Sequence, residues 1–216
     1  MSALDHLTVL LRGVPMTLAV TAGALALGAV LGLPVMLLAT RSPWRPVRGA
    51  VRLVVDLVRG VPPIVWIFIL YYGLAEHVVR LEPLTASILG LGLISSAHLA
   101  EVYRSGILSV DAGQWAAARA LGLGEARLFV DVIAPQALRI AVPPAATFAL
   151  NLLKDSAIAS VLGVTDVAYQ ANHEAQTSFD TLTLYLLAGV LYIVLGLPMA
   201  VLSRRVDRRL SAGLAR

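Results

Sequence analysis

Apolar residues dominate this chain in five long runs, separated by short polar breaks. The runs cover about residues 13–40, 53–74, 83–104, 136–154 and 181–203. About 20 apolar residues in helical form cross a hydrocarbon layer of about 30 Å, so each run predicts a membrane-spanning helix. The first, Gly13 to Thr40, holds no charged residue at all. Pro34 is placed to bend it near one end, and Gly23, Gly28 and Gly32 permit close contact with another helix. In the second run, Pro62-Pro63 predicts a break at depth. Such a break is tolerated only where protein or a water-filled cavity surrounds the backbone. Pro143-Pro144 predicts a similar interruption in the fourth run.

The longest polar interruption is Asp111 to Pro135, DAGQWAAARALGLGEARLFVDVIAP. It is too short for a domain and too regular for a plain connector. Gln114 to Leu121 predicts a short surface helix. Ala116, Ala117, Ala118 and Ala120 favour helix and carry no bulk, so another surface can approach them closely. Gly122 is placed to end that helix in a left-handed conformation. From the spacing alone, the favoured reading is an interfacial helix lying on the membrane. A semi-polar stretch, Ala157 to Gln170, reads as a short helix at the opposite surface.

Composition supports the membrane assignment. Hydrophobic residues make up 58% of the chain and charged residues 14%, against roughly one quarter charged in soluble domains. The 216 residues accommodate one helical bundle, residues 1–216, with no room for a further soluble domain. The cations are unevenly placed. Arg41, Arg45, Arg48, Arg52, Arg104, Arg119, Arg127, Arg139, Arg204, Arg205, Arg208, Arg209 and Arg216 fall on one side, and Arg12, Arg80 and Lys154 on the other. The positive-inside rule puts the Asp111 to Pro135 loop and the C-terminus in the cytoplasm, and the N-terminus outside. In such a chain an excess of positive charge concerns orientation before nucleic acid. The start, MSALDHLTVLLRG, lacks the cationic opening of a signal peptide and is expected to stay as part of a helix.

Candidate chemistry is sparse. The absence of cysteine rules out disulfides and thiolate metal sites. The four histidines, His6, His77, His98 and His173, are not at zinc-ligand spacing. Neither HExxH nor GxSxG occurs. Lys154 is the sole lysine and follows Leu153, so the Gly-Lys-Ser/Thr of a phosphate-binding loop is missing. No catalytic or metal residue is therefore expected. If ATP drives this protein, another polypeptide binds it.

A resemblance adds to this reading. The loop resembles the EAA loop of ABC-importer permeases, Glu-Ala-Ala, three residues, Gly, nine residues, Ile, one residue, Leu, Pro. Ala117, Ala118, Gly122 and Pro135 match. Ala116 stands where that pattern has Glu, Val132 where it has Ile and Ala134 where it has Leu. The strings RGVP (Arg59 to Pro62), YYGL (Tyr71 to Leu74), AEVYRSGI (Ala100 to Ile107), GQWAAARALG (Gly113 to Gly122), APQALR (Ala134 to Arg139) and LLKDS (Leu152 to Ser156) are similar, in order, to those of polar-amino-acid permeases of the histidine/glutamine type.

The resemblance implies an all-α integral membrane fold of about five spans, the type I importer permease, with a cytoplasmic coupling helix. It implies a second permease subunit, identical or paralogous, a cytoplasmic ABC ATPase dimer that binds ATP and Mg, and an extracytoplasmic solute-binding protein. It implies ATPase coupling through Gly113, Gln114, Ala116, Ala117, Ala118, Leu121, Gly122 and Pro135. A translocation path is expected near Trp66, His98, Glu101, Lys154, Asp155 and Ser156. Each of these also has a plainer reading. Trp66 can face lipid, and His98 can be a hydrogen-bonded core residue. Glu101 can pair with Arg104 or Arg139, Lys154 can snorkel to headgroups, and Asp56 can pair with Arg59. The rival classes are a secondary transporter or channel driven by an ion gradient, and a membrane scaffold. The inverted repeat expected of a secondary transporter is not seen in the five spans.

Overall fold

The computed structural model describes residues 3–214, apart from the side chains of Ala3, Glu76, His77, Leu202 and residues 205–214. Arg216 lies outside the described residues. The described chain is helical from end to end. α1 (Ala3–Arg41) is followed by α2 (Arg45–Gly60), α3 (Pro63–Phe68), a π-helical turn (Ile69–Gly73) and α4 (Leu74–His77). Next come α5 (Pro83–Leu108), α6 (Ala112–Ala120), α7 (Glu125–Arg127) and a second π-helical turn (Leu128–Ile133). α8 (Ala134–Asp155) runs into a 3₁₀ segment (Ser156–Leu162), and α9 (Val167–Ser178) and α10 (Thr181–Leu214) complete the chain. Among the described residues four helical stretches are long and apolar enough to cross a membrane, or five if the bent α2–α3 pair is one span.

α5 is the central helix. In its most apolar window 61% of residues are buried, against 28%, 22% and 17% for the other three long stretches. The reason is its run of small residues. A Cβ on Gly92 would stand 2.5 Å from Leu27 of α1, one on Gly90 2.8 Å from Ile67 of α3, and one on Gly106 2.8 Å from the Ala137 carbonyl of α8. α1 answers with Gly28, whose added Cβ would sit 2.3 Å from Ser95 Cβ. Helices in lipid gain from such close contact because apolar side chains are equally content against acyl chains. The serines along the seam are satisfied within their own helix: Ser87 donates to the Pro83 carbonyl (2.8 Å), Ser95 to Leu91 (2.7 Å) and Ser96 to Leu93 (2.6 Å). No polar group is therefore stranded between α1 and α5.

Three features bear on the expected spans: an earlier start to the first, the expected break in the second and no interruption in the fourth. α1 starts at Ala3, ten residues before Gly13. In its first turns buried His6 lies 3.7 Å from both Glu174 of α9 and Asp180 before α10. The second span is two helices meeting at 104°, α2 and the α3 segment, with Val61 and Pro62 at the corner. α2 is amphipathic, burying Val55 and Val58 while Leu53, Val54 and Leu57 are exposed. An Asp56–Arg59 ion pair is absent among the described residues. Third, α8 runs unbroken through Pro143 and Pro144. Thr147 donates to the Pro143 carbonyl at 3.1 Å, and Ser203 of α10 reaches it at 3.5 Å. The acceptors whose donors the two prolines remove are the Arg139 and Ile140 carbonyls, one turn before this one.

The semi-polar stretch becomes the 3₁₀ segment and the start of α9, but it packs inward as well as lying at a surface. Asp166 caps α9, accepting from the Tyr169 amide at 2.8 Å, and is fully buried. The Val167 amide donates to Thr17 of α1 at 3.2 Å. Gly13 admits the Asp166 backbone so closely that a Cβ would meet it at 2.4 Å. Burial pushes the Asp166 carboxyl up to about 6.

The α1–α5 seam makes a one-atom prediction. Gly28→Ala should reduce folded subunit and lower its melting temperature in detergent. Gly49→Ala on α2, where a Cβ meets nothing within 4 Å, should be neutral or stabilising by up to about 1 kcal/mol. Thermal unfolding of the two purified variants checks the contrast.

Candidate functional site: the loop helix and the polar residues of the bundle

The Asp111 to Pro135 loop is built to hold one short helix in place. Asp111 opens α6: its carboxylate accepts from the Gly113 amide at 2.7 Å and its carbonyl from Gln114 at 3.0 Å. α6 covers Ala112–Ala120, two residues earlier at its start than expected. Gly122 closes it at φ +74°. The Gly122 amide donates to Arg119 and the Leu123 amide to Ala118, at 2.9 and 3.2 Å. This paired reverse bonding is the Schellman ending, which needs a left-handed residue at Gly122. Inside the loop, buried Val110, Ala118, Leu128, Ile133 and Ala137 form a small core.

That core sorts the loop residues. Gly113, Gln114, Ala116, Ala117, Leu121, Gly122 and Pro135 are exposed. Leu121 is 80% exposed, a large apolar side chain offered to solvent at the helix end. Ala118 faces the other way and is buried against its own loop. It supports α6 from within and does not belong to the outward surface on which the sequence put it. The pattern's glutamate is missing at Ala116, and the loop is tied by other means. Arg119 donates to Glu125 at 3.1 Å and lies over the Trp115 ring, while Gln136 donates to Gln114 at 3.3 Å. Exposed pairs such as Arg119–Glu125 add at most about 1 kcal/mol. Arg119–Glu125 links α6 to α7, and Gln114–Gln136 links it to α8.

The residues expected along a path divide into two groups. His98 and Asp155 lie within Coulombic range of each other, and Arg59 lies within range of both His98 and Glu101. His98 is half-buried, its ring stacked on Phe148 at 4.8 Å and Nδ1 at 3.2 Å from the Ile94 carbonyl. Asp155, also half-buried, ends α8 where the chain tightens into the 3₁₀ segment. Glu101 is gripped by Arg104 through three contacts of 2.7–3.1 Å. The others stand apart. Trp66 donates its indole N–H to the Val58 carbonyl at 3.1 Å, closing a group left open by the α2–α3 corner. Lys154 is exposed. Ser156 is fully buried and donates to Leu153 at 2.8 Å, so its hydroxyl does not face an open path. Arg59 was missed as a member of this group. Its place in the RGVP string, just before the proline break, is the signal that points to it.

Membrane-length helices packed around one small-residue helix, one of them broken at depth, with a braced helix presented at one end, define the transmembrane subunit of a transporter. The chain belongs to the family described as "Binding-protein-dependent transport system inner membrane component", whose sequence model matches residues 24–212. It is 35% identical over 88% of its length, and 84% of the relative's, to a probable amino-acid ABC transporter permease protein, YckA, of Bacillus subtilis. It is 31% identical to the probable glutamine ABC transporter permease protein GlnM of the same organism, over 95% of each chain. Its fold is similar to that in a crystal structure of an amino acid ABC transporter with histidines, at a TM-score of 0.88 and 31% identity, covering 95% of this chain and 96% of that one. The chain is thus an ABC importer permease with the type I fold, and the ion-gradient transporter is set aside.

The Schellman ending predicts a specific loss. Gly122→Asp should leave insertion and subunit level unchanged but abolish ATP-driven uptake, because a side chain strains φ +74° by about 1 kcal/mol or more and adds charge to the exposed face. Normal uptake by this variant, measured beside membrane levels of the subunit, would show that α6 is not the coupling element.

Proposed function

We propose that this permease moves a polar amino acid, or a similar small solute, into a bacterial cell across the inner membrane. The observation that carries the reading is the likeness, over nearly the whole chain, to an amino acid ABC transporter. The names of the relatives support the same substrate class. Two permease subunits, identical or paralogous, form the pathway between them. A cytoplasmic ATPase dimer binds ATP and Mg, and an extracytoplasmic binding protein delivers the solute. This chain itself performs no catalysis and holds no cofactor. The N-terminus lies outside, and the loop and C-terminus lie in the cytoplasm.

In this mechanism the ATPases close on ATP and push α6 through its exposed face, Gly113, Gln114, Ala116, Ala117 and Leu121. Ala118 and the loop core transmit the push to α5 and α8. The bundle has inward-open and outward-open states, and nucleotide biases the balance because the ATPase surface fits α6 differently in each. The solute passes the polar cluster of His98 and Asp155, where an intramembrane carboxylate near a histidine suits the ammonium group of a zwitterion. Lys154 serves the opposite pole of the solute at the outer entrance.

Reconstitution tests this. Liposomes holding the permease pair and its ATPase should take up labelled glutamine only with binding protein outside and ATP inside. Lys154→Met and Asp155→Asn should each cut the rate about tenfold or more, the scale of one charged hydrogen bond at ~1.5 kcal/mol, without lowering assembled complex. Uptake driven by an ion gradient without the ATPase would overturn the reading. Wild-type rates in both variants would move the path elsewhere.

A further inference from the structure

A cavity of about 740 Å³ opens between the end of α1, α2, the end of α5 and the loop. Its wall has two parts. Met36, Leu37, Ile107 and Leu108 are apolar, whereas Arg41, Arg52 and Arg104 are cationic. Along α1 the change from Met36 to Arg41 takes about 7 Å of helix rise, the depth over which a membrane passes from acyl chain to headgroup. The arginines are held in position. Arg41 lies over the Phe129 ring at 5.9 Å, and Arg52 uses its Nε on the Ala39 carbonyl at 3.2 Å, leaving its terminal nitrogens for another acceptor. Among the described residues neither is in an ion pair with a carboxylate. Arg104 is engaged by Glu101, and the acid on the cavity wall, Glu125, by Arg119. Arg41 and Arg52 therefore stand above an apolar wall without a directly paired carboxylate, Glu101 acting on Arg52 only from a distance and already held by Arg104.

We propose that this cavity binds the headgroup and upper acyl chain of an anionic phospholipid from the leaflet on the loop side. A free phosphate would satisfy Arg41 and Arg52 but leave the apolar wall wet, and a neutral lipid would fill the wall but not answer the charge. Basic pockets between membrane helices on the cytoplasmic side are suited to anionic headgroups. Trp115 and Glu125 also line the cavity, so the bound lipid touches the loop that carries α6. Naming the leaflet as cytoplasmic rests on the orientation proposed above. The binding itself does not, because in detergent both faces are open.

Native mass spectrometry of the purified transporter, with its ATPase bound, tests the proposal by titrating phosphatidylglycerol, phosphatidylcholine and inorganic phosphate separately. Phosphatidylglycerol adducts should form and resist excess phosphate, with phosphatidylcholine weaker by about tenfold or more. Arg41→Gln with Arg52→Gln should weaken the phosphatidylglycerol adduct to a similar extent, whereas Arg45→Gln with Arg139→Gln, an equal loss of charge at exposed positions outside the cavity, should not. Equal binding of both lipids, displacement by phosphate, or an unchanged double variant would overturn the proposal. So would adducts seen only when the ATPase is removed, since the cavity would then be a protein interface. The lipid comparison on the wild-type protein decides even if the double variant fails to fold.

Discussion

The close approach of α1 to α5 is the contact on which the rest of the structure depends. Gly28 facing Ser95 leaves no room for one more carbon, and the same holds for Gly92 facing Leu27. In lipid this fit replaces the hydrophobic driving force that would assemble the same helices in water. It also seats α5 at the centre, where Gly90 receives α3 and Gly106 receives α8. His98 and Glu101 gain their positions from that seating. So does the loop, which leaves α5 at Leu108 and returns as α8 against Gly106.

The loop joins two demands that oppose each other. A coupling element must expose backbone and small side chains to a partner, yet it must not bend away under a push. Alanine on the outward face of α6 meets the first demand, and the loop core beneath Ala118 meets the second. The absence of the pattern's glutamate at Ala116 is matched by the Arg119–Glu125 and Gln114–Gln136 contacts within the loop. These contacts brace α6 from its own side and leave the exposed face without a carboxylate. If the partner ATPase has a cation facing that position, it finds no anion there.

Much of this was legible in the sequence because membrane helices announce themselves through length and apolarity. The spans, the loop helix and its glycine ending all follow from local rules at named residues. What escaped depended on partners distant in the chain. Nothing near His6 reveals that Glu174 and Asp180 will stand 3.7 Å from it. Asp166 reads as an ordinary polar loop residue until Gly13 and Thr17 bury it. Arg59 reads as the helix-face neighbour of Asp56, and its nearness to His98 and Glu101 depends on a helix distant in the chain. Ala118 differs from Ala116 and Ala117 only by which side of α6 the loop core occupies.

The central claim is that α6 and its loop lie on the ATPase side of the membrane while α9 and the α4–α5 connection lie on the other. The chain has no native cysteine, so single introduced cysteines report their side without background. A membrane-impermeant maleimide applied to intact spheroplasts, and then to inverted vesicles, tests the claim most directly. The account predicts that Ser42→Cys and Gly124→Cys react only in inverted vesicles, and Glu82→Cys and Asn172→Cys only in spheroplasts. Labelling of Gly124→Cys in intact spheroplasts would contradict it.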